Sequence, residues 1–270
     1  MNKICLVIGD PINHSLSPLM HNVAFKALGI DEEFKFVAQK VGINELKDFI
    51  KEVKEKNIKG VSVTIPLKIE IMKYLDLIDE VAKKIGAVNT VLNEDGILKG
   101  YNSDWLGVIK PLENITDIKG KKAAVIGAGG AARAIVYGLQ TKGCKITIFN
   151  RSASTAKDLA DYFGCDYKSL NELEDAKKMD IIINTTPLGM GEKKNETPVP
   201  KEFLNENQIV FDTIYNPKKT RLLKEAKIQG ANIIYGLEML LYQGIPQFEL
   251  YTGKKAPAQV MRKALEEVLR

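Results

Sequence analysis

Histidine is nearly absent from this chain: there are two in 270 residues, His14 and His21. A zinc site would have to find most of its ligands elsewhere. Cysteine offers little help. Cys5, Cys144 and Cys165 form no CxxC pair and are odd in number. That argues against a metal cluster and a disulfide framework, and predicts a reducing, cytoplasmic setting with no metal. Long apolar runs are also missing. No uncharged stretch approaches the ~18 residues of a membrane span. The apolar run from Ile4 to Ile8 is too short for a signal-peptide core, so neither a leader nor a membrane partner is expected. Charge of one sign is only slightly in excess: 39 Lys and Arg face 34 Asp and Glu, a net +5. The densest cluster, residues 51–59, alternates Lys with Glu like a solvated helix face. With no basic stripe and a single Trp, a nucleic-acid surface is not expected. A mild positive field does suit small anionic ligands.

What is present is the composition of an ordinary globular protein, 45% hydrophobic and 27% charged, with length for one large domain or two ordinary ones. Residues 3–8 read as a buried strand. Ser17-Pro18 reads as a helix start, with Ser17 as N-cap and Pro18 first in the helix. Met20, Val23, Ala24, Ala27 and Leu28 follow at helical spacing up to Gly29. Phe34, Phe36 and Ala38 alternate as a strand, Leu46, Phe49, Ile50 and Val53 mark a helix, and residues 61–65 form a β-branched strand. Helices between strands imply a parallel sheet with crossovers. Residues 88–92 and 97–101 flank a hairpin turn at Asn93-Glu94-Asp95-Gly96.

A polar junction is expected around residues 104–121, after which a second strand–helix series begins. Strands are expected at 122–126, 145–149, 180–184, 208–212 and 231–235. Helices are expected at 130–139, 153–163 and 218–228, then from Gly236 to Leu241 and from Pro257 onward. The sequence thus predicts an α/β protein of two domains.

The most explicit motif is Gly127-Ala128-Gly129-Gly130-Ala131-Ala132, between an apolar strand and a helix. It fits G-x-G-x-x-[GA]. The first glycine permits a tight turn, the second lets backbone approach a pyrophosphate, and the small last residue lets helix and strand pack closely. The helix N-terminus supplies N–H donors and positive dipole. The next strand decides which dinucleotide. NAD sites usually place Asp or Glu there to hold the ribose 2′-hydroxyl. Here Asn150-Arg151-Ser152 offers a guanidinium instead, which matches a 2′-phosphate. The sequence therefore predicts NADP, with Arg151 as its determinant.

A dinucleotide domain joined to a second α/β domain suggests a dehydrogenase. The first half carries polar groups at strand ends and helix starts: Ser15, Ser17, Thr64, Lys68, Asn89, and Asn102-Ser103-Asp104. Each also has a bland explanation. Ser17 and Asp104 suit helix caps, Lys68 a solvated surface and Asn89 a turn.

Taken in order along the chain, these motifs resemble those of the shikimate dehydrogenases. The residues that carry the resemblance are Ser15-Leu16-Ser17-Pro18 with His21-Asn22, Val63-Thr64-Ile65-Pro66-Leu67-Lys68, Gly86-Ala87-Val88-Asn89-Thr90 and Gly100-Tyr101-Asn102-Ser103-Asp104. The glycine loop, Asn150-Arg151-Ser152, Asn184-Thr185-Thr186-Pro187-Leu188-Gly189-Met190 and Asp212-Thr213-Ile214-Tyr215-Asn216-Pro217 extend it. Gly236-Leu237-Glu238-Met239-Leu240 with Gln243 completes it. The resemblance implies an enzyme: an NADP-linked oxidoreductase that interconverts 3-dehydroshikimate and shikimate on the way to chorismate and the aromatic amino acids. It also implies an N-terminal α/β substrate domain (1–104 with 239–270) interrupted by a Rossmann-type NADP domain (105–238), in a monomer or homodimer.

By the matching motifs, Ser15 and Ser17 hold the substrate carboxylate, with Tyr215 assisting. Thr64, Asn89, Asn102 and Gln243 line the ring hydroxyls and carbonyl. Lys68 and Asp104 form the catalytic pair. Gly127, Ala128, Gly129, Gly130, Ala131, Asn150, Arg151 and Ser152 hold the cofactor, with Thr186, Met190 and Gly236 near the nicotinamide. Two departures stand out. Ser103 replaces the family's usual Thr and keeps the hydroxyl. Thr155 stands where a second basic residue often follows, which weakens the expected 2′-phosphate clamp and leaves room for NAD. A quinate/shikimate dehydrogenase using either cofactor is the nearest alternative. A non-catalytic NADP sensor is a further one, against which the intact Lys68 and Asp104 weigh.

Overall fold

The computed structural model describes residues 3–269. The chain divides into two compact units, one comprising residues 3–104 and Leu241–Val268, the other Trp105–Leu240.

In the first unit, β1 (Lys3–Gly9), β2 (Phe34–Lys40) and β3 (Gly60–Val63) run parallel. They are joined by α1 (Ser17–Ala27) and α2 (Leu46–Glu55). The sheet is then mixed rather than wholly parallel. β5 (Thr90–Glu94) is antiparallel to β3 and to β6 (Ile97–Tyr101), and β4 (Leu77–Ile78) closes the edge beside β6, giving the order β2-β1-β3-β5-β6-β4. The two-residue turn Asp95-Gly96 has positive φ at both positions, which suits a tight hairpin.

Alternation along the strands separates two faces. Leu6, Ile8, Val61 and Val63 pack with Phe49, Ile50 and Val53 of α2. On the opposite side, the rings of Phe25, Phe36, Phe248 and Tyr251 gather around His21. α8 (Gly236–Thr252) and α9 (Ala258–Val268) complete the architecture. Asn22 closes the outer edge of β2: its Nδ2 donates to Phe36 O and its Oδ1 accepts from Phe36 N. That satisfies backbone groups an edge strand would otherwise present.

The second unit is a wholly parallel sheet of β7 (Lys122–Ile126), β8 (Lys145–Asn150), β9 (Asp166–Ser169), β10 (Ile181–Asn184), β11 (Ile209–Asp212) and β12 (Asn232–Ile234). Its order, β9-β8-β7-β10-β11-β12, is the 3-2-1-4-5-6 pattern of dinucleotide-binding sheets, whose topological switch lies between β7 and β10. Ala123, Val125, Ile181 and Ile183 face one core. Ala124, Ile126 and Ile182 face another, with Leu222, Leu223 and Ala226 of α7 (Arg221–Ile228).

Several expected boundaries move. The N-cap of α1 is Leu16, and Ser17 is the first helical residue with no side-chain cap bond. β3 ends at Val63, although Thr64 N still donates to Ile8 O. The strand expected at 88–92 runs from Thr90 to Glu94. The helix expected from Lys218 starts at Arg221, because Thr220 takes an extended conformation and caps it by accepting from Leu223 N. The two units divide between Asp104 and Trp105, within the junction expected at 104–121, and the rest of that stretch is structured. The stretch contains α4 (Asp104–Glu113), and Val108, Ile109, Leu112 and Ile118 lie in the second unit's core.

α8 does not stop at Leu241 but continues to Thr252 through Gly244 and Pro246. Gly244 serves packing rather than termination: a Cβ there would sit 2.2 Å from Met20 Cε. β9 and α3 (Glu80–Ile85) are additional to the elements expected from the sequence.

His21 is fully buried and stacked on Phe36 at 4.3 Å between ring centroids, and neither ring nitrogen has a hydrogen-bond partner in the structure. Burial holds its pKa down at about 3. The native state thus refuses a proton that the unfolded chain accepts near the ordinary histidine value of about 6.5. Stability from this residue is complete above that value and falls as pH drops from there toward 3, by about 1.4 kcal/mol per unit. Between pH 7.5 and 5, His21→Leu is expected to lose about 2 kcal/mol less unfolding free energy than the parent chain. Urea unfolding at both pH values checks this, and equal losses would contradict it.

Candidate active site

The first unit carries a buried ion pair beside the end of β3. Leu67, fully buried, anchors the loop after this strand, and Val88 N donates to Lys68 O. These fix the backbone of Lys68. Its Nζ lies 2.5 Å from Asp104 Oδ2, with the two side chains only 12% and 4% exposed. Asp104 opens α4, and its N–H donates to Asn102 Oδ1. The helix N-terminus favours the carboxylate there. Asn89 Nδ2 donates to the other oxygen, Asp104 Oδ1, at 2.9 Å. The amide is held by Ser103, whose backbone N donates to Asn89 Oδ1, and Gln243 Oε1 lies 3.3 Å from Nδ2. Lys68, Asp104, Asn89 and Gln243 therefore form one cluster, and the solvated and capping readings of Lys68 and Asp104 do not hold.

The remaining expected substrate residues are placed as follows. Ser15 Oγ accepts from Ser17 N, so the α1 start is tied by Ser15 rather than by Ser17. Thr64 is half-buried, its backbone bonded to Ile8 O and Leu67 N. Gly9 makes room for it, since a Cβ there would meet Thr64 Cγ2 at 2.5 Å and Ile65 O at 2.7 Å. Asn102 is committed within the fold, with Nδ2 donating to Ala87 O and Oδ1 accepting from Asp104 N. Tyr215 belongs to the second unit.

In the second unit, Gly127 follows β7 with φ +112°, and a Cβ there would lie 2.4 Å from Thr185 Oγ1. Only glycine fits that turn at the switch point. Ala132 is fully buried in the core under the helix α5 (Gly130–Thr141). Gly129 is different: its φ is −90°, and a Cβ there would meet nothing within 4 Å. The fold itself makes no demand for glycine at that place, whereas a phosphate approaching the helix N-terminus does. Ala128 and Ala131 complete the loop.

The end of β8 carries no carboxylate. Asn150 Nδ2 donates to Ser152 O, and Ser152 caps α6 (Ala153–Phe163). Arg151 is exposed and, among the described residues, has no ion-pair partner. Lys157 is tied to Asp161 and Thr155 to Ser152. These residues fit NADP.

Thr186, half-buried, donates from N and Oγ1 to Asn184 Oδ1. Asn184 Nδ2 in turn donates to Asp212 Oδ1 and Leu188 O. Thr220 Oγ1 and Ile214 N also donate to Asp212, whose pKa burial nonetheless pushes up to about 6. This network holds the loop that ends at the exposed Met190. Gly236 is required by packing, since a Cβ there would lie 2.4 Å from the backbone of Ile214. Asn184, Asp212, Thr220 and Ser103 are not singled out as site residues by the sequence. A signal exists for two of them: Asn184 and Asp212 each end a wholly buried apolar strand.

Among the described residues no group of three or more His, Cys, Asp or Glu is gathered to hold a metal, and no helix is long and apolar enough to cross a membrane.

Comparison with known proteins fits this geometry. Residues 7–91 match the shikimate dehydrogenase substrate binding domain, residues 112–189 the shikimate/quinate 5-dehydrogenase domain, and residues 236–266 the shikimate 5'-dehydrogenase C-terminal domain. The NADP(+) shikimate dehydrogenase of Dehalococcoides mccartyi strain CBDB1 is 44% identical over 97% of this chain and 95% of its own. The chain belongs to the shikimate dehydrogenase family. Two crystal structures from that family superpose closely. A shikimate dehydrogenase in complex with NADP+ is 43% identical, with a TM-score of 0.93 over 100% of this chain and 96% of that one. The Thermus thermophilus enzyme, in complex with NADP(H) and shikimate, is 36% identical, with a TM-score of 0.91 over the whole of both chains. The α/β architecture, with an N-terminal substrate domain and a Rossmann nucleotide-binding domain, is that of the family.

Proposed function

We propose that this chain catalyses the reversible NADP-linked reduction of 3-dehydroshikimate to shikimate, a step toward chorismate and the aromatic amino acids. The observation that carries the reading is the buried Lys68–Asp104 pair braced by Asn89. Desolvating a lysine and a carboxylate is costly, and well-packed apolar residues would stabilise the fold as well or better. Such a pair is therefore better explained by chemistry than by folding.

NADPH, when bound, supplies the hydride. The residues of this chain supply the rest. Reduction places negative charge on the carbonyl oxygen, and Lys68 delivers a proton to it from Nζ. In the oxidative direction Lys68 takes the hydroxyl proton. Asp104 orients Lys68 and the ring hydroxyls, and Asn89 fixes the carboxylate in turn. Ser15, Ser17 and Tyr215 hold the substrate carboxylate, and Thr64, Asn102 and Gln243 line the ring. The glycine loop holds the pyrophosphate, Asn150, Arg151 and Ser152 the 2′-phosphate ribose, and Thr186, Met190 and Gly236 flank the nicotinamide. Residues 1–104 with 239–270 make the substrate domain and 105–238 the NADP domain, in a cytoplasmic monomer or homodimer. The three widely spaced cysteines support that compartment.

The test is consumption of NADPH by the purified chain with 3-dehydroshikimate, the product being identified as shikimate by chromatography. Cofactor binding without consumption would overturn the reading.

A further inference from the structure

Behind the Lys68–Asp104 pair lies a buried hydrogen-bond chain of which the proposed chemistry uses only the last amide, Asn89, and the carboxylate it faces. It begins at Tyr251, late in α8, and passes through Ser62 of β3. Gln247 of α8 then links it to Thr90 and Asn89. The separations are 3.1 Å from Tyr251 Oη to Ser62 Oγ, 2.8 Å from Ser62 Oγ to Gln247 Oε1, 2.9 Å from Gln247 Nε2 to Thr90 Oγ1, and 2.7 Å from Thr90 Oγ1 to Asn89 Oδ1. Asn89 Nδ2 then reaches Asp104 Oδ1 at 2.9 Å. Every member is at most 4% exposed.

The direction of each bond is forced. Ser103 N, 2.9 Å from the Asn89 amide, can only donate, so Oδ1 faces it and Nδ2 faces the carboxylate. Asn89 O can only accept, and it lies 3.1 Å from Gln247 Nε2. Gln247 Oε1 therefore faces Ser62, whose proton goes to it, and Ser62 Oγ accepts from Tyr251. The Thr90 hydroxyl accepts a hydrogen bond from Gln247 Nε2 and donates one to Asn89 Oδ1. All donors thus point toward Asp104. In a low-dielectric interior, aligned hydrogen bonds polarise one another.

We propose that Gln247 is a positioning residue for the Lys68–Asp104 pair, fixing through Thr90 and Asn89 the amide that faces the carboxylate. The proposal rests on the functional reading above for its kinetic consequence only. The chain is not a proton wire, because its two amides carry no mobile proton. Its effect is electrostatic: it stabilises the more negative forms of the pair, so its loss makes proton release from the pair harder.

The titratable groups along it are few. Lys68 faces Asp104. At the far end, Cys5 and the His21 ring adjoin Tyr251. Burial pushes the Cys5 thiol up to about 12, holds His21 at about 3 and raises Tyr251 well above its usual value. The far end therefore does not change charge between pH 5 and 10.

Gln247→Met keeps the length and removes both hydrogen-bonding ends. Tyr251→Phe keeps the buried ring and removes only the first donor, which provides a second probe if the Met variant folds poorly. For shikimate oxidation by the full chain, Gln247→Met is expected to lower kcat about tenfold. KM for shikimate should stay within about twofold, and the acidic limb of the kcat profile should move up by about half a pH unit. Tyr251→Phe should give a smaller change of the same sign.

A substrate-free readout separates the two claims: the pH dependence of Lys68 acylation by acetic anhydride, followed by peptide mass spectrometry. Its midpoint should rise by the same amount in Gln247→Met. A lowered melting temperature with unmoved limb and midpoint would make Gln247 a mere strap and overturn the proposal. A shifted acylation midpoint in a chain that does not oxidise shikimate would uphold the positioning role and refute the functional reading.

Discussion

Lys68→Met is expected to lower kcat for shikimate oxidation by roughly 10²–10⁴, with KM changed by less than about threefold. The argument starts from burial. Lys68 and Asp104 are almost excluded from solvent and 2.5 Å apart, so bulk solvent has little access to the position that Nζ occupies. Met preserves the chain length and apolar stem and deletes the proton carrier. The substrate's other contacts are untouched, so binding should survive. The variant also leaves a buried carboxylate without its partner, which costs roughly 3–5 kcal/mol of stability. Asn89 Nδ2 still donates to that carboxylate, which limits the damage. Melting and NADP binding must therefore be measured beside kcat. A folded Lys68→Met variant with near-parental kcat would remove Lys68 from the chemistry.

Arg151→Ala is expected to weaken NADP binding about ten- to hundredfold while leaving NAD binding unchanged. The guanidinium stands at the end of β8 where an acidic residue would select NAD. It has no carboxylate partner among the described residues, so its charge is not spent within the fold. The neighbours do not replace it: Lys157 is paired with Asp161 and Thr155 is bonded to Ser152. With Thr155 in place of a second basic residue, the 2′-phosphate interaction is concentrated on one side chain. Titration of parent and variant with both cofactors, at one fixed salt concentration, measures the effect. An unchanged NADP-to-NAD ratio would assign the preference elsewhere.

The sequence is most informative where one physical requirement governs a whole segment. Continuous apolar runs bounded by turn residues locate β1, β7, β8 and β10 to within a residue or two. Ser152 and Gly164 mark α6 at both ends, the first by capping and the second by its left-handed backbone. The glycine loop is legible because its spacing between an apolar strand and a helix is specific; the packing explains Gly127, whereas a Cβ at Gly129 would meet nothing within 4 Å.

Legibility fails where a tertiary contact overrides a local signal. The helix expected to stop at Leu241 continues as α8 to Thr252, through a Gly244 that packs on Met20. Ser17 looks like a cap, and Leu16 takes that place. In the site, residue types point to Lys68, Asp104 and Asn89, but nothing local shows that they touch. Gln247 is invisible for a related reason. Its role depends on Ser62 and Thr90, more than 150 residues away, and although Gln243, Gln247 and Tyr251 fall at i, i+4 spacing on α8, nothing local shows what that face meets.

The central claim is that this chain turns over shikimate with NADP. The most direct measurement is kcat/KM in four parallel reactions, pairing shikimate or quinate with NADP or NAD. The account predicts that shikimate with NADP exceeds each of the other three by about tenfold or more. Comparable turnover of quinate with NAD, or no turnover in any reaction by a chain that binds NADP, would contradict it.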